Sequence, residues 1–134
     1  RRPPRSTLSS SSAASDVYKR QAADHGDRPA LAYRVEANGA SMVYTGDTAL
    51  TDAVVELAAG ADLLVAECSA PDEAPLDGHM TPAAVAALAG RAGVKRLVAT
   101  HLYPRMEEFD VARAIASSWD GPVEVARDGM IVDL

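Results

Sequence analysis

The sequence predicts an α/β layered fold with a mixed β-sheet. Three patterns carry this prediction: an Asn-Gly pair between two segments of alternating apolar residues, then helical and strand-like segments in alternation, and a closing apolar segment around Asp128-Gly129. Hairpins pair strands antiparallel, whereas strands joined through helices run parallel. Both kinds of pairing are therefore expected in one sheet.

The first 21 residues, RRPPRSTLSSSSAASDVYKRQ, differ in composition from the rest of the chain. They are basic, rich in Pro and Ser, and without hydrophobic periodicity, so they cannot build a core. The segment also resembles translated adapter sequence at the ends of open reading frames. We expect residues 1–21 to be a disordered, non-native leader, residues 22–134 to be the folded part, and the natural protein to begin upstream of Ala22.

The charge of the folded part limits its partners. Five of the 13 basic and one of the 19 acidic residues lie in the leader, which leaves eight basic and 18 acidic residues, a net charge of −10. An acidic body argues against a groove for a nucleic-acid backbone built from this part alone. It suits a site in which carboxylates surround cations.

Cysteine content and hydropathy predict the compartment. Cys68 is the single cysteine, so no disulfide is needed, and no apolar run approaches the roughly 20 residues that span a bilayer. The N-terminus lacks the apolar segment of a secretory signal. We expect a cytoplasmic protein without membrane association, in which Cys68 is a small buried apolar residue.

The first elements follow from turn and cap residues. Asn38-Gly39 is typical of a hairpin turn because both positions need positive φ, which predicts strands at about 30–37 and 41–45. In LTDAVVELAAG the apolar residues recur at helical spacing and a glycine ends the helix. The short apolar run ADLLVAE then predicts a buried strand.

The later elements repeat this order. Thr81-Pro82 is an N-cap followed by proline at the first helical position, and it opens the helix PAAVAALAGRAG. KRLVAT predicts a further strand, and MEEFDVARAIASSW a helix with acids in its first turn. PVEVARDGMIVDL predicts a closing pair of strands around its Asp-Gly turn.

Candidate chemical groups follow three successive strands: Asp47, Glu67 and His101. Sites in layered α/β folds form outside the carboxyl ends of strands, so these side chains are expected to share one crevice. His79 precedes a helix, and His25 precedes the first predicted hairpin strand. Imidazole and carboxylate together suit zinc, manganese or iron. The alternative is that Asp47 caps a turn and the histidines are surface loop residues.

Four segments carry a family resemblance: LAYRVEANGASMVYTGDT, GADLLVAECS, GHMTP and RLVATHLYP. In this order they resemble the C-terminal half of the metallo-β-lactamase fold hydrolases, in the branch near ribonuclease Z. The resemblance covers nearly everything from His25 to Leu134. It implies that the α/β fold is the C-terminal half of an αββα sandwich with a mixed sheet.

The resemblance also implies site residues. Asp47, in the Gly-Asp-Thr motif, matches the carboxylate that bridges two divalent metals, with zinc expected first and manganese or iron as alternatives. His101 matches the family's last histidine ligand, and His25 is the candidate for a further ligand. His79 and Glu67 match a histidine and a carboxylate that assist the leaving group, which is the work of a general acid.

One departure from the family pattern limits the expected activity. The His-x-His-x-Asp-His motif, which supplies most of the other ligands, is absent from the sequence. We therefore expect the chain to bind metal weakly and to hydrolyse little or nothing. The implied substrates are small-molecule or RNA phosphodiesters, and a homodimer is compatible with the resemblance. Tyr103 and Arg105 could touch a phosphate, but an exposed loop is the simpler expectation.

Two further functions compete with this interpretation. GDTALTDAVVELAAGADLLV is similar to the Gly-Asp loop of haloacid-dehalogenase-type phosphatases, although Thr51 stands where the second aspartate belongs and the acid falls at Asp52. That family also explains neither His79 nor His101. The other alternative is a non-enzymatic, degenerate half-domain that acts only by association, through a sheet edge and apolar surface left uncovered.

Overall fold

A hairpin meander forms one side of a six-stranded sheet. The computed structural model describes residues 17–134, and the side chains from residue 19 onward. The first three strands run antiparallel: β1 (Val17–His25), β2 (Arg28–Ala37) and β3 (Ala40–Tyr44). Asn38 and Gly39 have φ of 52° and 80°, so the predicted Asn-Gly hairpin is confirmed in position and in turn chemistry.

Strand β1 was not expected from the sequence. Its first five residues belong to the segment predicted to be a disordered leader, but they pair with β2, from Val17 opposite Glu36 onward. Pairing satisfies backbone groups whatever the side-chain composition, which is why composition misjudged this stretch. The expectation for residues 1–16 lies outside the described residues, and a natural start upstream of Ala22 stays a prediction.

The middle of the chain alternates helix and strand as predicted. The elements are α1 (Asp52–Ala58), β4 (Leu63–Glu67), α2 (Pro82–Ala92) and β5 (Leu97–Thr100). Strands β3, β4 and β5 pair parallel, which the intervening helices allow. The side-chain oxygen of Thr81 accepts a hydrogen bond from the amide of Ala84, so this N-cap is confirmed.

Two late predictions were wrong in extent. The helix expected over residues 106–119 is the shorter α3 (Val111–Ala116), because Asp110 caps its start by accepting from the amide of Arg113. A 3₁₀ turn (Pro104–Met106) precedes it. Instead of a closing hairpin, the single strand β6 (Val123–Val125) pairs parallel with β5, because α3 connects the two strands.

The sheet has the order β1-β2-β3-β4-β5-β6, so antiparallel and parallel pairing coexist as predicted. The helices cover one face, where alternate strand residues join the core: Val43, Leu64, Ala66, Leu97 and Ala99. The opposite face presents a shallow apolar groove lined by residues of three strands and of the C-terminal segment: Met42, Leu63, Val65, Val98, Met130 and Val132. None of the helices within residues 17–134 is long and apolar enough to cross a membrane.

Candidate metal centre

Strand direction brings the candidate site residues to one edge of the sheet. Strands β3, β4 and β5 are parallel, so Asp47, Glu67 and His101 follow or end their strands on the same side. Strand β1 is antiparallel to β2, which is antiparallel to β3, so His25 at the end of β1 reaches this edge too. His79 joins from the loop before α2. The structure shows that these five residues lie close together. Their roles stay predictions.

Asp47 lies between two histidines. Its Oδ2 atom is 3.9 Å from Nε2 of His25, and its Oδ1 atom is 3.3 Å from Nδ1 of His101. The carboxylate is about one-third exposed, so its oxygens remain open to a ligand. Gly46 before it has φ of 59°, and a Cβ there would lie 2.6 Å from the carbonyl oxygen of Leu31. Only glycine allows this close approach of the backbone.

His25 is oriented by a backbone carbonyl. Its Nδ1 atom lies 2.9 Å from the oxygen of Gly78. A carbonyl can only accept, so Nδ1 donates, and in the neutral ring the lone pair of Nε2 is on the side of Asp47. The hairpin that carries His25 is itself held by Thr48, whose Oγ1 accepts from the amide of Asp24 at 3.0 Å. This arrangement is the usual one for a metal-binding imidazole, whose second nitrogen bonds to the protein.

Glu67 connects the loop after β3 to the loop after β4 from inside the protein. Its side chain is 1% exposed and accepts five hydrogen bonds. Oε1 accepts from the amide of Thr48 at 3.1 Å and from Nδ1 of His79 at 2.8 Å. Oε2 accepts from the amide and hydroxyl of Ser69, at 3.1 and 2.8 Å, and from the amide of Met80 at 3.1 Å. A buried carboxylate with this many donors is fully satisfied and holds the loops in register.

His79 lies at the centre of an aromatic cluster. Glu67 accepts from its Nδ1, so when the ring is neutral its Nε2 atom accepts from the hydroxyl of Tyr103, 3.2 Å away. Ring centroids of His25 and His101 lie 4.5 and 5.9 Å from that of His79. Tyr103, expected in an exposed loop, is instead half-buried with its ring against His79 and His101.

Two candidate sets of metal-binding side chains lie at this edge. Ligand atoms of Glu67, His79 and His101 lie within 4.8 Å of one another. The oxygens of Glu67, however, are already engaged by five donors, and removing them from these partners would leave buried amides unsatisfied. Asp47 is the carboxylate that is free to bind. The donor set His25, Asp47 and His101 therefore fits a divalent metal better, in the chemistry of its atoms and in its access to solvent.

Cys68 takes no part in this donor set. It is fully buried, and burial raises the pKa of its thiol to about 12, with further contributions from the charges of Glu67 and Asp72. A metal-binding cysteine needs an accessible thiolate. The expectation that Cys68 is a small buried apolar residue is confirmed.

Ser69 was not predicted from the sequence, and Tyr103 was expected only in an exposed loop. Ser69 follows the strand-end glutamate and is fully buried, with its hydroxyl 3.0 Å from Nδ1 of His101. His101 itself has φ of 54°, a left-handed conformation that is rare for residues with a Cβ. Tyr103, two residues further on, is the second addition. Both lie within two residues of a strand-end candidate, which is the pattern that could have indicated them.

Sequence relatives agree on the family. A sequence model of the Beta-lactamase superfamily domain matches residues 7–102. Ribonuclease Z of Methanothermobacter thermautotrophicus is 37% identical over 100 residues, which are 72% of this chain and 33% of that protein. Ribonuclease Z of Mycobacterium tuberculosis is 36% identical over 113 residues, 75% of this chain and 41% of that protein. The chain spans a third to a half of the length of the curated relatives it matches.

Solved structures agree on the fold. The metallo-beta-lactamase fold protein YhfI from Bacillus subtilis matches with a TM-score of 0.75 at 24% identity, over 86% of this chain and 48% of that one. The short form of human tRNase Z matches with a TM-score of 0.69 at 27% identity, over 90% and 44%. The haloacid-dehalogenase alternative loses its basis with these matches. The chain therefore belongs to the beta-lactamase superfamily and forms part of a metallo-β-lactamase fold, with proteins named ribonuclease Z among its relatives.

Proposed function

We propose that the chain supplies one side of the active site of a metal-dependent hydrolase. His25, Asp47 and His101 would hold divalent metal ions, two in the complete site, with zinc expected first and manganese or iron as alternatives. Ions of this kind, when bound, lower the pKa of water and so provide a nucleophile at neutral pH. The other steps fall to side chains of this chain.

The observation that supports this proposal best is the position of Asp47. Each of its two oxygens faces a different histidine, Oδ2 towards His25 and Oδ1 towards His101. A carboxylate that caps a turn would have its oxygens directed at backbone amides instead. A carboxylate shared between two imidazoles, with one oxygen for each, suits a bridging ligand.

His79 and Glu67 are proposed to assist the leaving group. In the protonated ring Glu67 would accept from Nδ1 at 2.8 Å, and the hydrogen on Nε2 is the one that could pass to a leaving oxygen. Tyr103 contacts this Nε2 atom, so its hydroxyl has to turn aside or pass the proton on. Glu67 acts as a positioning residue in this scheme, because its own oxygens are buried.

The proposed substrate is a phosphodiester, in RNA or in a small molecule. RNA is favoured by the relatives named ribonuclease Z and tRNase Z. The acidic charge of this part of the protein means that contacts to an RNA backbone would come from elsewhere. No association with a membrane is proposed. A homodimer stays a prediction from the resemblance.

The ligand count sets the expected activity of the 134-residue chain. The whole sequence contains three histidines, and two of them are proposed ligands. Two metal ions need about four ligands each, so Asp47 and two histidines cannot complete both shells. We propose that the remaining ligands come from outside these residues and that the chain alone hydrolyses little. The rival is a half-domain without catalytic activity, which acts by association.

Hydrolysis of bis(p-nitrophenyl) phosphate separates these proposals. It would be measured with protein in excess and zinc present, for this chain and for a longer polypeptide that includes a His-x-His-x-Asp-His motif. We expect a rate near background for the chain, and for the longer protein a rate that a chelator and Asp47→Ala both abolish. A longer protein that holds zinc but cleaves neither this diester nor RNA would contradict the proposed hydrolase.

A further inference from the structure

The Ser69 hydroxyl lies between a buried carboxylate and a proposed metal ligand. Its Oγ atom is 2.8 Å from Oε2 of Glu67, 3.0 Å from Nδ1 of His101 and 3.0 Å from the carbonyl oxygen of His101. Ser69 is fully buried, so water does not compete for these contacts. The hydroxyl therefore connects Glu67, which holds the loops after β3 and β4, to the loop after β5.

Counting hydrogens assigns a direction to these contacts. A hydroxyl has one hydrogen, and a carboxylate is a stronger acceptor than a carbonyl or an imidazole nitrogen. The hydroxyl of Ser69 thus donates to Glu67, and its lone pairs are available to His101. The other neighbour of Nδ1 is Oδ1 of Asp47, 3.3 Å away, which also can only accept. Nδ1 of His101 must therefore be the donor.

We propose that Ser69 is a positioning residue that holds His101 with its hydrogen on Nδ1 and the lone pair of Nε2 available to a metal. This inference rests on the proposed function in that His101 is taken as a ligand. Once a metal engages the oxygens of Asp47, Ser69 is the acceptor that remains for Nδ1. His101 has a φ of 54° and lies outside regular secondary structure. Its side chain is therefore oriented by contacts such as the one with Ser69.

His25 also has an acceptor for the hydrogen on Nδ1, but there the acceptor is a backbone carbonyl. A carbonyl cannot be removed by substitution, but a serine hydroxyl can. Loss of a partner of this kind lowers metal affinity about 10- to 100-fold in other metal sites. Ser69→Ala leaves Oε2 of Glu67 with the amides of Ser69 and Met80, so the buried carboxylate keeps donors on both oxygens.

The test compares Ser69→Ala with Ser118→Ala, a serine exposed on the surface after α3. Long-range ¹H–¹⁵N NMR spectra of the metal-free chain report which nitrogen of His101 carries the hydrogen. Ser69→Ala is compared with its parent in the Asp47→Ala background, because Asp47 would otherwise accept from Nδ1 in place of Ser69. Competition with a chromophoric chelator reports zinc affinity. We expect Ser69→Ala to increase the population with hydrogen on Nε2 and to weaken zinc binding about 10- to 100-fold. Ser118→Ala should change neither.

Four further outcomes are distinguished by the test. If Ser69→Ala does not fold, Ser69→Thr retains the hydroxyl and should keep the wild-type tautomer of His101. A wild-type chain whose His101 carries its hydrogen on Nε2 overturns the proposal, as does a folded Ser69→Ala with unchanged tautomer and zinc affinity. Failure of the wild-type chain to bind any zinc would instead count against the proposed function, and the NMR spectra would still judge Ser69.

Discussion

The carbonyl oxygen of Gly78 accepts a hydrogen bond from Nδ1 of His25, although the two residues are 53 positions apart. The backbones of Gly78 and His25 also lie close together. A Cβ on Gly78 would lie 2.7 Å from the carbonyl carbon of His25 and 2.8 Å from its Cα. The loop before α2 and the end of β1 therefore fit together only with glycine at this position.

Gly78→Ala should destabilise the protein and displace His25. The added methyl group meets backbone that cannot turn aside, and φ of 74° is unfavourable for alanine. Gly60→Ala is the matched control, because Gly60 has a similar φ of 64° but no atom within 4 Å of its added Cβ. Urea unfolding should show a loss at Gly78 that exceeds the loss at Gly60 by about 1–3 kcal/mol. Equal losses of unfolding free energy in the two variants would mean that the close contact between Gly78 and His25 does not contribute to stability.

Glu67→Gln should destabilise the fold despite its similar shape. An amide nitrogen cannot accept, so at least one buried donor now bonded to Glu67 would be left without a partner. We expect a loss of about 2 kcal/mol or more in the free energy of unfolding. Glu124→Gln removes an exposed carboxylate paired with Arg96 and should cost less than about 0.5 kcal/mol. Similar stabilities for the two variants would contradict the role given to Glu67.

Asp62 should make stability depend on pH in the acid range. Hydrogen bonds from Lys95, then from the hydroxyl and amide of Ser41, lower its pKa from 3.8 to about 2. A carboxyl with a lowered pKa binds its proton more readily in the unfolded chain, so its contribution is complete above about pH 4. That contribution is lost as the pH falls towards 2. Asp62→Asn should flatten the stability curve between these values.

Titration of the carboxyl carbon by NMR checks the cause of this shift. Lys95→Gln removes the largest contribution and should move the pKa of Asp62 back towards its ordinary value. An Asp62 that titrates near 3.8 in the wild-type chain would contradict the prediction.

Cys68 should be inert in the folded protein. With a pKa of about 12, roughly one thiol in ten thousand is ionised at pH 8, and the side chain is fully buried. Labelling by a disulfide reagent such as Ellman's should therefore be slow in buffer and fast in urea. Rapid labelling of the native chain that zinc blocks would instead make Cys68 a metal ligand.

Local chemistry explains which elements could be predicted from the sequence. The Asn38-Gly39 turn and the Thr81 cap depend on residues within a few positions of each other, so their patterns are readable in one dimension. Strand β1 depends on pairing with β2, and its first five residues belong to a segment whose composition indicates disorder. Helix α3 is shorter than predicted because the residue that caps its start is Asp110.

The candidate site also contains residues that the sequence predicts and contacts that it does not. Strand ends predicted Asp47, Glu67 and His101, because parallel strands bring their carboxyl ends to one edge whatever the loops do. The contacts of Ser69 and Tyr103 could not be predicted, because they depend on how the loop after β4 meets the loop after β5 in space. Nor does sequence spacing reveal that Glu67 is fully engaged by buried donors while Asp47 remains open.

Zinc titration of the 134-residue chain tests the position of Asp47 most directly. Calorimetry would compare the wild type with Asp47→Ala and with Asp27→Ala, an exposed acid in the turn after His25. We predict weak zinc binding by the wild type and by Asp27→Ala, and none detectable by Asp47→Ala. Equal binding by all three proteins would show that the carboxylate between His25 and His101 is not a metal ligand.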